Sequence, residues 1–472
     1  MAPVWTAPPA RLVSLSHDHK LGNERSSVPY PPVAAVVTPN GRFVAFESMA
    51  DNLVPDDTSR SHEFQEIFVR DMRRRTTERI NVASSGKQAN KGARAGDDYY
   101  LVYPNTHLGG ISDNGRYVVF ATTSSNLVPG DTNRAWDVFV RDRHAAKTKR
   151  VSIASDGAEG NEDSFNPVIS GDGKIVAFAS GASNLVSNDT NRHPDVFAHY
   201  LATGETVRVS VSSTGEEARL PKGAHSFEGS ASPSISSDGA FVAFSSSATN
   251  LVEDDTNGLA DVFVRDINAG ETRRVSISSD GAQAEPIEID QETYGGSSSV
   301  SLSGDGSVVM FGTMAPNLVD DDTNKLADMF VHDMKTGETE RVSVSSEGRQ
   351  VTGCTDDECL HEEGSAGGSI SFDGRVVAFT SGGDLGGRDA DHPYGTDHDV
   401  FIRDRATDRT ILANHRYTGE PAAPGNLYGP SLSTNGRWLV FGADDRRLVR
   451  ETRGVEAFGW VFLQRLPPSL FD

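Results

Sequence analysis

"NLVEDDTNGLADVFVRD" (Asn250–Asp266) has close copies beginning at Asn126, Asn184 and Asn317. Its second half, "DVFVRD", is rich in β-branched and aromatic residues and reads as a strand, while the Asp-, Asn- and Gly-bearing first half reads as a loop. Upstream lie "PSIS", a short strand, "SDGA", a hairpin turn whose Asp-Gly supplies positive φ, and "FVAFSSS", a strand with a continuous apolar start. That start implies burial on both faces. Downstream, "INAGE" turns the chain into a fourth strand, "TRRVSIS". One unit is therefore four antiparallel strands.

The Asx-Gly turn and its apolar run recur at Gly41, Gly115, Gly173, Gly239, Gly306, Gly374 and Gly436, spaced 74, 58, 66, 67, 68 and 62 residues apart. A fixed unit joined by loops of varying length, seven times over, predicts an all-β fold: one seven-bladed β-propeller of four-stranded blades. The blades are expected at about 33–84, 109–155, 167–213, 233–279, 299–346, 368–413 and 430–466 of the single domain 1–472. The last unit stops at "RLPPSLFD" after three strands, whereas "RLVSLS" (residues 11–16) matches a fourth strand. The N-terminal segment is expected to complete blade seven and so remove an exposed sheet edge.

These units resemble the WD40-like PD40 repeats of the TolB-type β-propeller family, through "DGRxVAFxS", "NLVxxDTNxxxDVFVRD" and "TxRVSVSSxG" over nearly the whole chain. The resemblance implies the propeller fold and, from TolB, a periplasmic partner-binding protein. No separate N-terminal domain like that of TolB is evident in the sequence. Propellers host binding, scaffolding and catalysis alike, so function has to be argued from a site.

The formal net charge of -23 argues against nucleic acid as a partner and favours cations or basic partners. No apolar run is long enough for a membrane span. The N-terminus shows no secretory signal, which implies a cytoplasmic protein if Met1 is native and an extracytoplasmic one if a signal was trimmed. Cys354 and Cys359 share one loop, "TGCTDDECLHEE", and are expected to form a disulfide, with free thiols or a zinc site with His361 as alternatives.

Four loops carry the full Asp-Thr-Asn-x-x-x-Asp set: Asp131, Asn133 and Asp137; Asp189, Asn191 and Asp195; Asp255, Asn257 and Asp261; Asp322, Asn324 and Asp328. Oxygen ligands at alternate positions suit calcium, but three side chains are few where calcium wants six to eight oxygens. The favoured reading is Asx-turn chemistry that shapes the loop. No signature of a nucleotide or organic cofactor is present.

A unique site is expected where the repeats diverge. The loops between strands two and three and between blades are long and open on one face, whereas the other turns stay short. Shortly before the inner strands, Arg25, Tyr30, Tyr103, Phe165, Phe227, Tyr294 and Tyr428 form an expected ligand-binding ring at the channel mouth. His107, His225, Glu228, His361 and Glu362 are the candidate acids and bases there. These loops are acidic, whereas the opposite face has basic turns such as "RDMRRRTTER". No GxSxG, HExxH or phosphate-binding loop occurs. The favoured function is a monomeric, non-enzymatic propeller holding a protein or small molecule on the acidic, aromatic, loop-rich face. The alternative is an enzyme at the channel mouth acting on a natural product or a glycan.

Overall fold

A tight turn built on Asx-Gly needs a left-handed glycine, and all seven repeat glycines adopt φ between +65° and +77°. In the computed structural model each closes the hairpin between the first and second strands of a four-stranded antiparallel sheet. The structure describes residues 10–26, 35–55, 57–58, 65–90, 106–222, 229–289, 292–351, 364–383, 385, 398–414, 427–445, 448–449 and 459–467. Seven such sheets follow one another as blades. Blade two, for example, pairs Thr106–Ile111, Tyr117–Thr122, Asp137–Asp142 and Lys147–Arg150 in order.

The second and third strands carry the core. A Phe on each meets its cross-strand partner in every blade, from Phe46 and Phe68 in blade one to Phe441 and Phe462 in blade seven, with ring centroids 5.8 to 6.0 Å apart. Both faces of these strands are buried between neighbouring blades, as their unbroken apolar runs require.

The ring closes as expected. Arg11–Leu12 pairs antiparallel with Leu463 and Phe462 to become the fourth strand of blade seven, and Val13 N–H extends the ladder to the Val461 carbonyl at 2.9 Å. The ladder is shorter than the expected span 11–16, and the fourth strands are shortened throughout. In blade four the strand ends at Arg274; Val275 makes one more backbone bond to Val262, and the Ser276 hydroxyl then accepts from Val262 N–H at 3.0 Å. A serine side chain takes the place of the last rung.

Blades are stitched side to side by repeated polar residues. The fourth-strand hydroxyl of Thr148, Thr206, Thr272, Thr339 or Thr410 donates to a carbonyl of the preceding blade at 2.5 to 2.6 Å. The Asn of each "NLV" does the same at the loop-rich face: Asn126, Asn184, Asn250 and Asn317 donate to the carbonyls of Gln88, Glu159, Glu217 and Gln283.

The two faces differ. On the short-turn face the hairpin turns of blades two to seven bond backbone to backbone, as from Asp113 N–H to the Gly171 carbonyl and from Phe372 N–H to the Thr434 carbonyl. The Thr434 hydroxyl then reaches Asp113 Oδ1 at 2.8 Å, so the turns form a collar around the axis. A Cβ on Gly304 would overlap Phe372 and Ser237, which is why the collar has glycine there. On the loop-rich face the segment before blade five adds a feature the sequence reading did not anticipate, a ribbon of Ile287–Ile289 with Glu292–Tyr294.

Candidate functional site

The Asp-Thr-Asn residues converge, but on an arginine. In blade two Asn133 Oδ1 accepts from Ala135 N–H at 3.0 Å, an Asx turn, while its Nδ2 donates to Asp137 Oδ2 and to the Gly160 carbonyl. Arg150 Nη1 then sits 3.6 Å from Asp131, 3.1 Å from Asp137 and 2.8 Å from Glu159. Arg208 repeats this with Asp189, Asp195 and Glu217. Arg274 does so with Asp255, Asp261 and Gln283, and Arg341 with Asp322, Asp328 and Gln350. A guanidinium thus lies among the oxygens proposed as calcium ligands, and a divalent cation would have to displace it. Among the described residues no group of three or more His, Cys, Asp or Glu is arranged to hold a metal ion.

The electrostatics of these loops follow from burial. Asp131, Asp189, Asp255 and Asp322 are pushed up to about 6, chiefly by burial and then by the neighbouring Asp, against the opposing pull of arginine. Burial also tends to raise Glu159 and Glu217. Hydrogen bonds from the side chain and N–H of Thr132 and Thr190, with the arginine charge, outweigh it and hold both carboxyls below their usual range.

On the loop-rich face, His107, Phe165 and Tyr428 occupy equivalent places near the start of their first strands, paired with Ala121, Ala179 and Gly442. Directly afterwards each of these strands slips register. In blade three Asn166 takes φ +49°, a bulge that bends the strand. Tyr294 instead belongs to the extra ribbon, paired with Ile287, and is half-buried. Arg25 lies at the seam of blades seven and one, ion-paired to Asp444 at 3.4 Å. Tyr30, Tyr103, His225, Phe227, Glu228, His361 and Glu362, with both cysteines, lie outside the described residues, as does the side chain of Tyr428.

Blade one breaks the repeat in its second strand. Glu47, near the end of blade one's second strand, stands where the other blades have Ala121, Ala179, Ser245, Gly312, Thr380 and Gly442. Its side chain is 1% exposed. Oε1 accepts from Leu108 N–H at 2.5 Å, and Oε2 accepts from Gln65 Nε2. Next to it His107 Nδ1, 4.0 Å from Glu47 Oε1, has no hydrogen-bond partner among the described residues. The imidazole stacks on Trp136, with centroids 5.1 Å apart and planes 15° apart. Burial drives the pair in opposite directions: the Glu47 carboxyl rises to about 8, opposed by its two hydrogen bonds, and His107 falls to about 4. Near neutrality both are uncharged, and the His107 side chain remains 32% exposed beside Trp136.

The sequence reading found His107 but missed Glu47, Gln65 and Trp136. Aligning the seven second strands would have exposed Glu47 as the one carboxylate in a column of small residues. The loop arginines were also missed, although each lies thirteen residues after the last Asp of its set and nine before its Glu or Gln.

No family model and no curated protein matches the chain. Among solved structures it is similar to TolB from Acinetobacter baumannii, at 15% identity over 85% of this chain and 76% of that one, with a TM-score of 0.38. It is also similar to the β-propeller domain of the Trilobed protease from Pyrococcus furiosus, at 10% identity over 93% and 96%, TM-score 0.49. A third is Kuenenia stuttgartiensis hydrazine synthase, at 13% identity over 90% and 94%, TM-score 0.41. At these identities the likeness leaves the chemistry of this chain to its own residues.

Proposed function

We propose that the chain is a non-enzymatic TolB-like propeller that holds a protein or small ligand on its loop-rich face, with the stacked His107 and Trp136 as a contact surface. The observation that carries this reading is the departure from the repeat around Glu47. Fold maintenance uses the same residues in blade after blade, so a set found at one seam is better explained by an occupant than by the ring. An uncharged imidazole on an indole offers a flat, amphipathic surface of the kind that dominates contact sites. The cluster suits binding better than acid-base catalysis, because Glu47 is sealed from solvent and both of its oxygens are engaged.

The test is native mass spectrometry of the protein purified from its own host, beside His107→Ala and Trp136→Ala. A non-covalent mass carried by the wild type and lost from both folded variants supports the reading. A retained mass in both variants, or a turnover assay whose rate collapses in them, overturns it in favour of another surface or of the enzyme alternative.

A further inference from the structure

The chain has 44 Lys and Arg against 67 Asp and Glu, so a surface where cations gather without partners stands out. The turn after blade one's third strand exposes Arg73, Arg74 and Arg75. The adjoining carboxylate, Asp71, is already held by Arg42 at 2.7 Å and by the backbone N–H groups of Arg73 and Arg74 at 3.0 Å. From the closing strand, exposed Arg11 reaches the same turn, its Nη2 3.5 Å from the Met72 carbonyl.

Arg70, buried beneath them, donates to the carbonyls of Leu15 and Ser16 and to the Thr77 hydroxyl, and contacts His19; none of these is a carboxylate. Burial, with the charges of Arg75 and Arg11, pulls its pKa down to about 10. One blade on, Lys147 and Lys149 are exposed on either side of Thr148, while the acids nearby, Glu78 and Asp142, are taken by Arg143 and Arg116. Arg11, Arg73, Arg74, Arg75, Lys147 and Lys149 thus have no ion-pair partner among the described residues.

We propose that this patch, which runs from the ring-closing seam across blades one and two on the short-turn face, docks an acidic polypeptide segment. Guanidinium forks match carboxylates in geometry, and a short extended run of Asp and Glu fits a local patch. A nucleic-acid duplex would extend past it over a molecule of net charge -23, where the field is repulsive. The inference is independent of the His107 surface.

The test is fluorescence anisotropy of a labelled peptide of alternating Glu and Ser, titrated with the full chain at low and raised salt. Saturable 1:1 binding that weakens with salt is expected. Reversal of Arg73, Arg74 and Arg75 to Glu should weaken it by at least about tenfold, as should Lys147→Glu with Lys149→Glu to a smaller degree. Reversal of Arg273 and Lys335, exposed on blades four and five, should leave it within about twofold. Absence of saturable binding at low salt, or equal loss in the Arg273 and Lys335 control, overturns the proposal. Tighter binding to oligo-dT or to phosphatidylserine vesicles, abolished by the triple reversal, reassigns the patch to those anions. Self-association abolished by the same change makes the occupant a second copy.

Discussion

Arg208 Nη1 lies 3.2 Å from Asp195 Oδ2, thirteen residues earlier in the chain, in a blade whose loop was a candidate calcium site. The guanidinium stands among the carboxylates, and its side chain is only 10% exposed. The repeated loop combines an Asx turn, an arginine, and a stitch from Asn184 and Asn250 to the adjoining interblade segments.

Replacing Arg208 by Met should destabilise the protein by about 3 kcal/mol, because it leaves Asp189, Asp195 and Glu217 facing one another without the cation that offsets them. Chemical denaturation checks this. In the same assay EDTA should leave the wild type unmoved; a chelator-dependent drop in midpoint would return the loops to the calcium reading.

The raised carboxyls give a pH dependence with a definite sign. Asp189 has a folded pKa of about 6, above its ordinary value of 3.8, so its contribution to stability is fully present below the ordinary value and is lost as pH rises through about 6. Asp189→Asn carries no such loss. The melting temperature of the variant relative to wild type should therefore climb between about pH 4 and pH 6 and level off above that. Glu217, held low, acts the other way in acid and is common to both proteins, so the comparison isolates Asp189. A difference independent of pH would contradict the raised value.

Glu47 makes a sharper case. Its carboxyl, at about 8 against an ordinary 4.5, contributes stability that is fully present below the ordinary value and is lost as pH rises to about 8, so the stability of Glu47→Gln relative to wild type should climb between about pH 5 and pH 8 and level off above it. Glu47→Ala shares that pH slope but should lie about 2 kcal/mol below Glu47→Gln at each pH, since it strands Leu108 N–H and the Gln65 amide. Thermal melts across that range decide it.

Those two sites show what the sequence made legible. The seven Asx-Gly turns announce themselves because a local steric need, positive φ, repeats at a readable interval. The Asp-Thr-Asn residues were legible as a group but not their partner, since Arg150 or Arg208 enters from a different strand after a turn. Glu47, Gln65, His107 and Trp136 come from two blades, and each is ordinary in its own segment. Only their convergence makes a site, and convergence is a property of the closed ring.

The closing strand offers the last test. Removing residues up to Ser16 strips Leu12 and Val13 from blade seven, bares the edge of Trp460–Arg465, and takes from Arg70 its acceptors at Leu15 and Ser16. An unpaired edge in an otherwise closed ring invites pairing with another chain. The truncated protein should melt on the order of 10 °C lower, more than one lost rung would explain, because the change also leaves a buried guanidinium short of partners. It should also self-associate with rising concentration in sedimentation, whereas adding back the segment as a free peptide should restore the melting temperature in a dose-dependent way. An unchanged melting temperature would mean that the seam holds through blade-to-blade packing of Phe46, Val440 and Val461 alone.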